Sequence, residues 1–156
     1  MSSGVKFDED YLKFSSDINK MGRVLALGGA MDNFALSLKV QERTPGHNRY
    51  YVSIDTHVLS MILRKVTKQS LQDYFQDRLW KKIGSDAPAF YLTDGVETAF
   101  ALGGLNMTTR DYARFGQLFL QNGRWDNQDV IPEWWVKESI SDNAPPPLGA
   151  SSFGYG

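Results

Sequence analysis

"NRYYVSIDTHVLSMIL", residues 48–63, begins with a pair of tyrosines and a serine and runs straight into an amphipathic pattern. Ile54, Val58, Met61, Ile62 and Val66 recur at helical spacing, so the stretch reads as a helix carrying one apolar stripe. Ser53 or Asp55 can accept from the exposed N–H groups of its first turn. Upstream, "QERTPGHN" at 41–48 is a loop with Pro45-Gly46 as its turn signal. A phenol and a hydroxyl side by side at a helix start have two readings. One is a buried tyrosine followed by a capping serine. The other is acid–base chemistry on a nucleophile supplied from elsewhere.

Outward from this stretch the chain is mostly helical. The spacing from Asp17 to Val40 gives two short helices, started by Ser15-Ser16-Asp17 and separated at Gly28-Gly29. Ser70 and Asp73 form a capping-box-like start for a helix whose stripe is Leu71, Tyr74, Phe75 and Leu79. Residues 84–106 are rich in turn formers and carry one or two short strands, with Gly103-Gly104 as a tight turn. Thr108 and Asp111 open another helix, with Tyr112, Phe115 and Phe119 on one face and Asn122-Gly123 closing it. Pro132 suits the first turn of a last helix, "PEWWVKESI". A breaker-rich loop follows at 141–152, and the final "FGYG" reads as the opening of a strand.

Composition narrows the partners. The 156 residues suffice for one domain with a core, and 42% hydrophobic and 13% aromatic residues make it globular. Seventeen Lys and Arg against eighteen Asp and Glu argue against nucleic acid or an anionic membrane as partner. The absence of cysteine excludes disulfides and thiol catalysis without fixing a compartment. No run approaches the ~18 apolar residues of a membrane span. The first residues have neither the basic nor the apolar region of a signal peptide.

Several motifs are set aside on their context. His47 and His57 cannot make the usual soft-ligand metal site, and His57, in the first turn of a helix, reads as structural. No phosphate loop or dinucleotide fingerprint occurs, so no cofactor is expected. Ser3-Gly4-Val5-Lys6 has the Ser-x-x-Lys spacing of serine acyl-transfer enzymes. That spacing has meaning only on a helix, where the amine sits one turn from the hydroxyl. Here a glycine interrupts it and no apolar helix follows. Ser141-Asp142-Asn143 spells another motif of such enzymes, but in a loop with no Lys-Thr-Gly after it. At Tyr51-Val52-Ser53 the chemical reading requires help, because a free phenol has a pKa near ~10. A neighbouring ammonium group or donors aimed at its oxygen would favour the phenolate.

"PGHNRYYVSIDTHVLSMILRKVTKQSLQDYFQDRLWKKIG" at 45–84 resembles the segment around the catalytic tyrosine of the serine β-lactamase-related hydrolases. That family includes class C β-lactamases, related penicillin-binding proteins and esterases, and 6-aminohexanoate-dimer hydrolases. Pro45-Gly46, Tyr51-Val52-Ser53 and Thr67 through Tyr74 match its Pro-Gly turn, Tyr-x-Asn/Ser motif and "T-x-x-S-L-x-x-Y" stretch in order. "ALGGLNMTTRDYARFGQLFLQNGRW", "IPEWWVKES" and "MSSGVKF" are similar to further family segments, so the resemblance covers nearly the whole chain. Ser53 stands where class C β-lactamases have Asn, which resembles the nylon-oligomer hydrolase and esterase side.

The resemblance implies an α-rich part of an α+β serine β-lactamase-like fold, with a helical subdomain, few short strands and most of the antiparallel sheet missing. It implies acyl transfer to water from a small amide or ester (a β-lactam, an oligoamide or an ester) through an acyl-serine. The catalytic proton-transfer role falls to Tyr51 and the supporting polar role to Ser53, with Tyr50 the off-by-one alternative. The family's Ser-x-x-Lys lies upstream of the part that "MSSGVKF" resembles, and its Lys-Thr-Gly-like strand lies downstream of "FGYG". Residues 1–156 are therefore expected to be an internal portion of one hydrolase domain, inactive alone, with apolar faces near Trp80, Trp134 and Trp135 left without their partner surface. The rival expectations are a small helical binding module derived from that fold, and a slowly acylating relative of the penicillin-binding proteins. Substrate and oligomeric state do not follow from these residues.

Overall fold

Three helix starts among the described residues are closed by a side chain three residues ahead of the amide it satisfies. Ser16 accepts from Asn19 N–H, Ser70 from Asp73 N–H and Thr108 from Asp111 N–H. Ser70 and Thr108 also donate their hydroxyls to the Asp73 and Asp111 carboxylates, at 2.7 Å in each case. The arrangement resembles a capping box, with the acid on the cap hydroxyl rather than on its backbone N–H, and its spacing is legible in the sequence. The computed structural model describes residues 2–141. The expected loop at 141–152, most of the Ser141-Asp142-Asn143 triplet and the terminal "FGYG" lie outside the described residues.

The elements in chain order are α1 (Asp17–Ala26), α2 (Met31–Ser37), α3 (Ser53–Thr67), α4 (Leu71–Arg78), a single 3-10 turn (Trp80–Lys82), β1 (Phe90–Tyr91), β2 (Leu105–Asn106), α5 (Thr109–Leu120), β3 (Arg124–Trp125), β4 (Gln128–Asp129) and α6 (Glu133–Ile140). β1 pairs antiparallel with β2, Phe90 opposite Asn106, and β3 with β4, Arg124 opposite Asp129. The second pair is absent from the sequence reading. It is a two-residue hairpin whose turn, Asp126-Asn127, takes φ of 45° and 62°. Those are the left-handed angles that Asp and Asn tolerate at the centre of such a turn.

The main core lies between the chain's first segment, α1, α2 and the entry to α3. Phe7, Ile18, Met21, Met31, Val52 and Ile54 are buried together, with Phe34, Tyr50 and Phe100 packed against them. Each such side chain contributes about 1.5–3 kcal/mol by leaving water. Because Val52 and Ile54 flank Ser53, this core sits directly beneath the residues singled out above.

The helix faces differ from the apolar stripes. On α3, Ser53, Ile54, His57 and Ser60 are buried, whereas Val58, Ile62 and Val66 are exposed. The inward face is therefore rotated about a third of a turn from the stripe. α5 behaves likewise: Asp111 and Leu118 are buried, while Tyr112 and Phe115 are exposed. Trp134 and Trp135 on α6 are also exposed, their rings 5.7 Å apart. None of the described helices is long and apolar enough to cross a membrane.

Gly28-Gly29 breaks the first helical stretch as expected, and tertiary structure adds a second reason for glycine nearby. Gly95 passes so close to that break that a Cβ on it would lie 1.8 Å from the Gly28 carbonyl oxygen. Its N–H also donates to Gly29 O at 3.3 Å. Gly95→Ala should therefore lower the unfolding free energy by at least about 1–3 kcal/mol, since backbone must move. Gly116→Ala, on α5 with nothing within 4 Å, should raise it by about 0.5–1 kcal/mol. Urea titrations of the two variants check both signs.

Candidate active site

Val52 is extended, with φ of −140° and ψ of 108°, and only 2% exposed. In extended backbone neighbouring side chains point to opposite sides. With Val52 in the core, Tyr51 is turned outward and is 56% exposed. Tyr50, the off-by-one alternative, is packed against the core, its ring 3.8 Å from the Arg43 guanidinium carbon. Of the two phenols, Tyr51 is the accessible one.

Ser53 is 2% exposed and does not cap α3. The N-cap position is Val52, which offers no side-chain acceptor. The expected cap, Ser53 or Asp55 accepting from first-turn amides, is replaced by a carboxylate from elsewhere. Ser53 N–H donates to Glu9 Oε1, and Ser53 Oγ donates to Glu9 Oε2 at 3.0 Å, across 44 residues of sequence. A negative group here also suits the positive end of the helix dipole. Nothing local in the sequence points to Glu9. It sits in the acidic run Asp8-Glu9-Asp10, which has no periodic relation to α3.

Further along the same face, Asp32 on α2 ties two turns of α3 together. Its Oδ1 accepts from His57 Nε2 at 2.9 Å and from Arg64 Nη2 at 2.7 Å. Seven residues are about two helical turns, so both donors reach one oxygen. Burial pushes the Asp32 carboxyl up, but Arg64 and His57 together outweigh this and hold it below its ordinary value of 3.8. An ionised acceptor places the ring proton on Nε2. His57 Nδ1 is buried without a hydrogen-bond partner among the described residues. The structural reading of His57 agrees with this fully buried placement. α2 is anchored in turn by Asp94, which accepts from Met31 N–H at 2.8 Å and from Val96 and Thr98 N–H in its own loop.

Ser3-Gly4-Val5-Lys6 is not helical. Val5 bridges antiparallel to Gln41, Lys6 N–H donates to Val40 O, and Gly4 takes a φ of 75°. Extended geometry removes the one-turn proximity that gives Ser-x-x-Lys its chemistry. His47 is exposed on its loop. Among the described residues no group of three or more His, Asp or Glu is placed to hold a metal ion. A separate buried acid, Asp111, is held below its ordinary value by the Thr108 hydroxyl and, against its burial, by Arg114. Arg114 also reaches Asp86 at 2.7 Å, which secures α5 rather than the Tyr51 region.

Residues 28–156 match the Beta-lactamase family. The chain is similar to the 6-aminohexanoate-dimer hydrolase of Paenarthrobacter ureafaciens, with 25% identity over 146 residues, covering 90% of this chain and 37% of the relative. Among solved structures it is similar to a Bacillus anthracis protein assigned as a 6-aminohexanoate-dimer hydrolase. The TM-score is 0.78 at 26% identity, covering 97% of this chain and 43% of the other. A Bacteroides dorei protein assigned as a β-lactamase shares the fold, with a TM-score of 0.64 at 23% identity over 96% of this chain and 44% of its own. The chain thus spans less than half the length of these relatives.

Asp32 supplies a pH dependence whose sign is fixed. A carboxyl depressed in the folded state adds stability above its unfolded value and loses it as pH falls through the folded value. Stability should therefore drop below pH 3.8. Asp32→Asn should flatten that drop. Asp32→Ala should cost about 1.5–3 kcal/mol at neutral pH, nearer the lower end because 32% of the side chain is exposed. Denaturant midpoints measured from pH 7 down to pH 2.5 read out both effects.

Proposed function

Because this chain belongs to the Beta-lactamase family of hydrolases, we propose that it forms part of a serine hydrolase in which Tyr51 transfers the proton during acyl transfer. The observation that carries this reading is the pairing of an exposed phenol with a rigid base. Tyr51 stands 56% exposed immediately before a buried Val52-Ser53 step that the core and Glu9 hold in place. A proton-transfer group has to be open to the reacting atoms and fixed relative to them.

In the proposed mechanism a serine hydroxyl attacks the carbonyl carbon of an amide or ester, and Tyr51 takes the serine proton. It then gives that proton to the departing amine or alcohol, leaving an acyl-serine. Water attacks the acyl carbon and gives a proton to the tyrosine, which passes it to the serine oxygen as the acyl–oxygen bond breaks and the carboxylic acid leaves. Ser53, buried with its hydroxyl on Glu9, supports the site by holding the backbone beside Tyr51.

The nucleophile and its lysine belong, in this proposal, to sequence beyond these 156 residues, since Ser3 and Lys6 lack helical geometry. The exposed stripe Val58, Ile62 and Val66, with Trp134 and Trp135, would be covered by the remainder of the hydrolase fold. The substrate class is a small amide or ester. Similarity to 6-aminohexanoate-dimer hydrolases favours linear amides within it.

In the intact protein, Tyr51→Phe should lower kcat on a chromogenic ester or a linear amide by about 10²–10⁴-fold. Tyr50→Phe should leave kcat within a few-fold, and the isolated 156-residue chain should turn over neither substrate. Full activity in the Tyr51→Phe variant would sink the assignment. Turnover by the isolated chain would show that the nucleophile had been misplaced.

A further inference from the structure

We infer that Glu9 is the positioning residue of Tyr51, a tertiary cap that sets where the phenol stands. The inference rests on the catalytic reading above for its functional part and on geometry alone for its structural part.

A helix leaves its first N–H groups without partners, and a local Ser, Thr, Asp or Asn normally accepts from one of them. α1, α4 and α5 follow that rule through Ser16, Ser70 and Thr108. α3, the longest of these at 15 residues, does not, because its N-cap is Val52. Glu9 fills the gap with both oxygens, one on the Ser53 N–H and one on the Ser53 hydroxyl. Two bonds to one planar carboxylate fix orientation as well as distance, which a single cap bond does not.

The group that grips α3 is itself held. Phe7 is 3% exposed in the core. Asp8 N–H donates to Asp17 Oδ2 at 3.0 Å, and Asp8 O accepts from Ile18 N–H at 3.1 Å. Residues 7 and 8 are therefore tied to the core and to the start of α1, with Glu9 next in line. On the other side, only Val52 separates the gripped Ser53 from Tyr51, and its side chain is locked in the core. Any shift of Ser53 must then pass through a buried residue into the phenol. Serine at position 53 is suited to this grip because its hydroxyl supplies the second donor.

The test is a series in the intact protein at Glu9, read by fluorine NMR of 3-fluorotyrosine placed at position 51 and by kinetics. Glu9→Ala should shift and broaden the Tyr51 resonance. It should also lower kcat by about 10- to 100-fold with little change in KM, as expected for a misplaced reacting group. Glu9→Gln, which keeps an acceptor for the Ser53 amide and a polar partner for its hydroxyl, should restore both readouts to near the starting values. In a Tyr51→Phe background, Glu9→Ala should cost almost nothing further, because both changes act on one group. If Glu9→Ala does not fold, Glu9→Asp, whose carboxylate is drawn back by one methylene, carries the same comparison.

An unmoved Tyr51 resonance, or equal kinetic losses with and without the phenol, overturns the inference. A fully active Tyr51→Phe variant would instead remove the catalytic reading. The resonance would still decide whether Glu9 positions the ring.

Discussion

The carboxylate of Asp32 is the contact around which this part of the fold is arranged. It draws His57 and Arg64, two turns apart, onto one oxygen, and so dictates which side of α3 faces α2. Once that side is chosen, Ser53 must also face inward, and Glu9 must meet it. An apolar stripe could have been buried in the same place at lower desolvation cost. A paired polar face, by contrast, has one satisfactory alignment, because displaced donors would be left unpaired in low dielectric. The polar face therefore specifies the rotation of α3 more tightly than apolar contact would.

That rotation has consequences at both ends of the helix. At the N-terminus, Val52 goes into the core and Tyr51 turns out. Along the helix, the stripe Val58, Ile62 and Val66 is left exposed, as are Tyr112 on α5 and Trp134 on α6. Buried polar faces and exposed apolar ones in neighbouring helices reverse the usual partition.

Where the sequence misled, the cause was long-range pairing. The α3 stripe was a sound reading of period, but period cannot show that Asp32, 25 residues earlier, would partner His57. Ser53 was a reasonable cap until Glu9 took both of its donors. The β3–β4 hairpin is invisible to periodicity because two-residue strands leave no alternation to detect. In Ser3-Gly4-Val5-Lys6 the glycine occupies left-handed backbone and the flanks pair with the 40–46 loop, so the spacing carries no helical proximity.

What the sequence determined by itself were the features settled within a few residues. These are the helix starts at Ser16, Ser70 and Thr108, the break at Gly28-Gly29, and the ordered motifs that identify the family. A hydroxyl three residues from an amide satisfies it whatever lies around them. Tertiary structure alone decided which face of α3 is buried, what closes its first turn, and which of two adjacent tyrosines reaches solvent. Each of those outcomes depends on a carboxylate or a core contact far away in sequence. The energy that selects them exists only once the chain has brought those groups together.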